Sequence, residues 1–160
     1  NYLIMKAKNI WSSTQSLLVV FNYKDDDHLR DFRKSLDLML NNSQVGRLVI
    51  VVNIPKEIDK ATLPPHFLIY YNSPNDYTFF GKMKDVLLQT ELHKNYDLLI
   101  NFDTPNDKVM VILKDSHIKK KVIVNAEDSF FDLSLSSAIE KPSEMLNFVT
   151  TTLEKINLYD

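Results

Sequence analysis

The chain of 160 residues contains 2 glycines and no cysteine. Average usage of about 7% would supply roughly 11 glycines in this length. A dinucleotide fingerprint needs three closely spaced glycines and a P-loop needs two before its lysine, because the backbone has to approach phosphate where a Cβ would stand. Gly46 and Gly81 lie 35 positions apart, so neither can be written here. A Gly-x-Ser-x-Gly nucleophile elbow is excluded on the same ground. The absence of cysteine removes disulfides, thiolate metal sites and cysteine nucleophiles. No apolar stretch approaches the ~20 residues that span a bilayer, and residues 1–10 lack the apolar run of a secretory signal. A cytoplasmic protein with no membrane partner is therefore expected. The formal net charge of −2, from 19 basic and 21 acidic residues, gives no overall drive toward nucleic acid or an anionic membrane, although local patches remain open. An opening Asn rather than Met implies upstream sequence, and residues 1–15 read as an N-terminal extension of a single domain covering 1–160.

Against these absences stands a regular alternation. Residues 16–22 form a continuous apolar run ending in Asn22, as expected of a strand buried on both faces. Asp25-Asp26-Asp27 follows, then Leu29, Phe32, Leu36, Met39 and Leu40 at the spacing of one helix face. Residues 46–53 give a second strand ending in Asn53. After a connection holding Pro55, Pro64 and Pro65, residues 67–71 give a third. Turn residues and a run of aromatics lead to Gly81, beyond which Met83, Val86, Leu87 and Thr90 predict a helix face. Residues 96–102 are a fourth strand. Thr104 then reads as an N-cap with Pro105 at the first helical position, for a short helix over 105–114. Residues 119–124 and 130–135 supply a fifth and a sixth strand. Pro142 opens a last helix striped by Met145, Leu146, Val149, Leu153 and Ile156.

Strands alternating with helices predict a three-layer α/β domain of the Rossmann-like kind, with about six mostly parallel strands and helices on both faces. In such sheets ligands bind beyond the carboxyl ends of the strands, where the strand order reverses. That rule nominates residues 22–28, 53–56 and 102–106. The candidate ligand-binding residues are Asn22, Asp25, Asp26, Asn53, Asp103, Thr104 and Lys141; no catalytic residue, metal ligand or cofactor is assigned.

The sequence resembles an uncharacterised family of unknown function from Bacteroidetes bacteria. The segments that carry the resemblance are residues 17–22 with the acidic helix start, Phe79-Phe80-Gly81-Lys82, Tyr96-Asp97-Leu98-Leu99-Ile100-Asn101, Lys119-Lys120-Lys121-Val122 and Phe131-Asp132-Leu133. The resemblance implies a Rossmann-like domain with no assigned activity. Glycine is expected after the fifth strand in some members of such a family, and this chain has Asn125-Ala126 there. Residues 96–124 are also similar to the N-terminal half of heptosyltransferase-like glycosyltransferases. That similarity covers about a fifth of the chain and lacks the usual turn glycine and the nucleotide-sugar domain, so it implies fold alone.

Several clusters admit two readings. Asp25-Asp26-Asp27 reads as helix initiation, since carboxylates favour a helix N-terminus, or as a Mg²⁺ site. Adding Asp103 and Lys141-Pro142 assembles the residue types of a response-regulator receiver, but Asn22 ends the first strand where an acid belongs and Lys141 follows an extra strand. The four histidines show no metal-ligand spacing. Lys119-Lys120-Lys121 reads as an exposed strand entrance or an anion contact, and nucleic acid is not expected as a partner. Tyr70, Tyr71, Tyr77, Phe79 and Phe80 read as core packing, with a pocket or partner surface as the alternative. Phe130 and Phe131 are expected in the core. The function these readings favour is a noncatalytic module that contacts a protein partner, a second copy or a small ligand. The enzyme alternative is a degenerate glycosyltransferase-like or receiver-like domain that binds a phosphorylated ligand or Mg²⁺.

Overall fold

A computed structural model describes residues 8–158. Its sheet has six strands, β1 (Ser16–Asn22), β2 (Arg47–Asn53), β3 (Ile69–Asn72), β4 (Tyr96–Phe102), β5 (Ile118–Val124) and β6 (Leu133–Leu135), in the order β3-β2-β1-β4-β5-β6. Every pairing is parallel. This is the strand order of a Rossmann-like sheet. The helices are α1 (Asp26–Asn42), α2 (Val86–Leu92), α3 (Asp107–Leu113) and α4 (Pro142–Glu154).

Alternation along the strands sorts side chains into two cores. Leu17, Val19 and Phe21 of β1 face Leu29, Phe32 and Leu36 of α1 and Met145, Leu146 and Val149 of α4. Leu18 and Val20 point the other way, to Leu88 and Leu92 of α2 and Val109, Met110 and Leu113 of α3. Only a strand covered on both sides can be apolar at every position, which is why β1 reads as an unbroken hydrophobic run. On the first face Phe32 stacks on Phe21 at 4.0 Å between centroids and meets Phe102 edge-on at 5.2 Å. The N-terminus of α4 has no side-chain cap of its own; the carboxylate of Asp31 in α1 accepts the Ser143 N–H at 2.8 Å and ties the two helices together.

The structure departs from the sequence reading in several places. Residues 8–15 are not a mere extension: Ile10 and Trp11 are buried in the first core, and Ile10 N–H donates to the Ile156 carbonyl at 2.9 Å. Residues 1–7 lie outside the described residues. The third strand starts at Ile69, leaving Phe67 81% exposed. α2 begins at its N-cap Asp85 and buries Leu88 and Leu92, four residues apart, while Val86 and Leu87 face outward. Met83 is buried through a separate hairpin, in which it bridges to Tyr77. The sixth strand is only Leu133–Leu135, and Phe130 and Phe131 are half-buried against the second core. Two lysines of the triplet have partners within the fold. Lys119 pairs with Asp97 at 3.2 Å, and Lys121 pairs with Asp132 at 3.5 Å and lies over the Phe130 ring. Burial pushes the Asp97 carboxyl up, but the N–H groups of Gln15 and Ser16 together with Lys119 outweigh it and hold the group below its ordinary value.

Leu36→Ala, at a fully buried position in the first core, should lower unfolding stability by about 2–5 kcal/mol. Leu87→Ser, on the outward face of α2, should change it by less than about 0.5 kcal/mol. Urea unfolding followed by circular dichroism measures both; equal losses would contradict this assignment of faces.

Candidate functional site

In the strand order β3-β2-β1-β4-β5-β6 the direction of winding reverses between β1 and β4. A cleft of about 540 Å³ opens there, at the carboxyl ends of β1, β4 and β5 on the α1/α4 face. Phe21, Phe32, Phe102, Ile139, Pro142 and Met145 give it apolar walls, and Asn22, Lys24, His28, Asp103, Asn125 and Glu140 supply polar groups.

The strand ends beside the cleft are joined by a chain of side-chain amides. Parallel register sets Asn22, Asn53 and Asn72 side by side as the last residues of β1, β2 and β3. The Tyr77 hydroxyl donates to Asn72 Oδ1 at 2.6 Å, and Asn72 Nδ2 donates to Asn53 Oδ1 at 2.9 Å. Asn53 Nδ2 donates to Asn22 Oδ1 at 3.0 Å, and Asn22 Nδ2 donates to the Thr104 carbonyl at 3.1 Å. Asn53 and Asn72 are buried, so each amide needs these partners. Burial is the main reason the Tyr77 phenol is pushed up to about 12, which keeps it a donor at every ordinary pH.

Two residues that line the cleft hold left-handed backbone without being glycine: Asp103 at φ 63° and Asn125 at φ 60°. Asn and Asp tolerate this region best among residues with a Cβ. Asp103 N–H donates to the Val124 carbonyl at 2.8 Å, and its own carbonyl accepts from Asn101 Nδ2 at 3.0 Å. Asn125 N–H donates to the Leu135 carbonyl, and its Oδ1 accepts the Ser137 N–H, both at 2.8 Å. The position expected to hold Gly after the fifth strand thus makes its turn and also carries an amide that organises residues 137–140.

The acidic run is dispersed. Asp25 caps α1 by accepting the His28 N–H at 2.8 Å, Asp26 accepts the Tyr23 hydroxyl at 2.6 Å, and Asp27 pairs with Arg30 at 2.9 Å. Among the described residues no group of three or more His, Asp or Glu could hold a metal ion. Of the residues singled out in the sequence, Asn22 and Asp103 line the cleft; Asn53 and the Thr104 carbonyl belong to the amide chain behind it. Asp25 and Asp26 stay at the start of α1, and Lys141 lies outside the cleft, in the N-cap position of α4. Thr104 is not a helix cap: Asn106 is, accepting from the N–H groups of Lys108 and Val109.

Sequence reasoning missed Asn72, Asn125 and Glu140 as site residues, and it reached His28 only as the end of the nominated segment 22–28. Asn72 had a signal, since it repeats the strand-ending Asn of β1 and β2. His28 lies edge-on to Phe32 at 5.1 Å, and its Nδ1 is buried without a hydrogen-bond partner. Burial, assisted by Lys24, lowers its pKa below the ordinary value, so the neutral ring is the native form.

Comparison with family models, with curated proteins and with solved structures finds no match to this chain.

Asn53→Ala should cost about 1–3 kcal/mol, because it strands Asn22 Oδ1 and Asn72 Nδ2 together. Urea unfolding checks this, and a loss under about 0.5 kcal/mol would mean the chain carries no strength. Because the folded pKa of His28 is depressed, its contribution is fully present above the unfolded value of about 6.5 and is lost as pH falls below it. Stability measured across that window should decline on the acid side, and His28→Gln should flatten the decline.

Proposed function

We propose that this is a noncatalytic, cytoplasmic ligand-binding domain whose cleft takes a small unphosphorylated molecule with an apolar body and neutral or cationic polar groups. The observation that carries the reading is the cleft's position at the reversal of strand order, where sheets of this topology bind ligands. The volume of about 540 Å³ lies within the range of small-molecule pockets, as does the mixture of apolar walls with a few polar groups.

Charge argues for the ligand class. In phosphate-binding sheets the helix after the first strand offers free N–H groups to the anion. Here that end of α1 is closed by Asp25, and Asp26 and Asp27 occupy its first turn. Asp103 and Glu140 add carboxylates to the cleft, against Lys24 as its one lysine or arginine among the described residues. An anion would meet repulsion from both sides, whereas a hydroxyl or ammonium group could be received by Asp103. The noncatalytic reading is supported by His28, whose buried Nδ1 has no carboxylate to orient the ring as a base. The shared order of segments with the Bacteroidetes family supports placing the chain there, and that family brings no activity with it.

Calorimetric titration with adenosine, AMP and UDP-glucose tests the proposal. Adenosine should bind, AMP should bind at least about tenfold more weakly, and Asp103→Ala should weaken adenosine. Tighter binding of AMP or UDP-glucose, or of Mg²⁺, would overturn the ligand class and favour the glycosyltransferase-like or receiver-like reading. Silence from every probe, repeated with the cationic amine agmatine, would overturn the assignment of the cleft.

A further inference from the structure

The opposite face carries a feature that the cleft does not explain. Between β3 and α2 the chain forms a small hairpin, with Tyr77 and Met83 in an antiparallel bridge. Thr78 N–H donates to the Lys82 carbonyl at 2.7 Å, and Gly81 N–H donates to the Thr78 carbonyl at 2.9 Å. Gly81 holds φ +82°, the left-handed residue that closes such a turn, so Phe79 and Phe80 occupy its tip. Their anchors are buried and Tyr77 is tied to Asn72, yet Phe79 is 98% exposed and Phe80 90%. The two rings meet edge-on at 5.5 Å. Their expected burial is therefore wrong, and the reason is the turn, which points both central residues away from the sheet.

Lysines surround the base of this tip. Lys82 and Lys84 flank the buried Met83 and so face away from the core. Lys108 of α3 reaches across, its Nζ 4.8 Å from the centre of the Tyr77 ring and 3.7 Å from where a Cβ on Gly81 would stand. Among the described residues none of the three has a carboxylate partner. No acid occurs between Tyr77 and Lys84, with Asp76 and Asp85 just outside that span, and Val86 and Leu87 at the start of α2 are also exposed.

We propose that this hairpin seats the domain on an anionic membrane surface, with Phe79 and Phe80 entering the boundary between headgroups and acyl chains while Lys82, Lys84 and Lys108 remain at the phosphates. An apolar tip with a cationic collar matches the layering of a bilayer interface, apolar below and anionic above. The tip is convex, so a protein would need a matching pocket, whereas lipid closes around any shape. Perpendicular rings do not offer the parallel faces on which successive bases stack. A contact of this kind departs from the expectation of no membrane partner, which rested on spanning length and on the overall charge of −2, whereas the collar is a local cluster of lysines. Among the described residues no helix is long and apolar enough to cross a membrane, and a seated loop requires none.

Co-sedimentation of the chain with phosphatidylcholine vesicles, and with vesicles rich in phosphatidylglycerol, tests the proposal. The protein should pellet with the anionic vesicles only, and less as salt rises. Phe79→Ser with Phe80→Ser should cut partitioning at least about tenfold, and Lys82→Glu with Lys84→Glu should do the same, all with unchanged melting temperature. Failure to pellet with anionic vesicles overturns the proposal, as does binding that the double Phe variant leaves intact. Sedimentation equilibrium without lipid supplies the remaining outcome: a dimer that the Phe variant dissolves would assign the tip to a second copy and overturn the membrane reading. The cleft is not involved in any of these measurements.

Discussion

A parallel sheet leaves polar groups at the carboxyl ends of its strands just where its two halves diverge, and the rest of the domain depends on how they are satisfied. Here three neighbouring strands end in the same residue, and their amides are hydrogen-bonded in series from the Tyr77 phenol to the Thr104 carbonyl. One end of the series roots the hairpin before α2. The other holds the loop between β4 and α3, whose Asp103 lines the cleft. Two surfaces on opposite faces of the sheet are thereby built on one shared line of hydrogen-bonded side chains.

The parts of the fold legible in the sequence are those where burial alone dictates residue type. β1, β2 and β4 are covered on both faces, so their apolar runs mark their limits almost to the residue. α1 is amphipathic over 17 residues, enough turns for its stripe to be unmistakable. α2 and α3 have only 7 residues each, and two turns cannot establish a stripe against apolar neighbours that belong to other structures. Met83 illustrates the difficulty: it is apolar and buried at a spacing that suits a helix, but a hairpin buries it. Thr104 and Asn106 are both competent caps, and only the path of the chain decides between them.

The candidate site divides along the same line. Asn22, Asn53 and Asp103 were legible because a topological rule points to strand ends, and each stands at one. Asn125 and Glu140 enter the cleft through the turn after β5 and the segment beyond β6, which a one-dimensional reading cannot bring beside β1. The acidic run was conspicuous yet is divided among three partners, because consecutive residues at a helix start diverge. Low glycine content also takes on structural meaning. Left-handed turns are still required, and the chain makes two of them with Asp103 and Asn125, which add polar side chains at the places where glycine would leave bare backbone.

The amide series has a direction. Every link donates from the β3 side toward the β4 side, and the last acceptor is a backbone carbonyl, which has no hydrogen to give back. Turning one amide over would set two oxygens or two NH₂ groups against each other, so the set can reverse only as a whole, and the terminal carbonyl forbids that. The three side-chain dipoles are consequently locked in parallel. Their donor ends all lead to the Thr104 carbonyl, so the loop carrying Asp103 is tied to the strand edge in one orientation only.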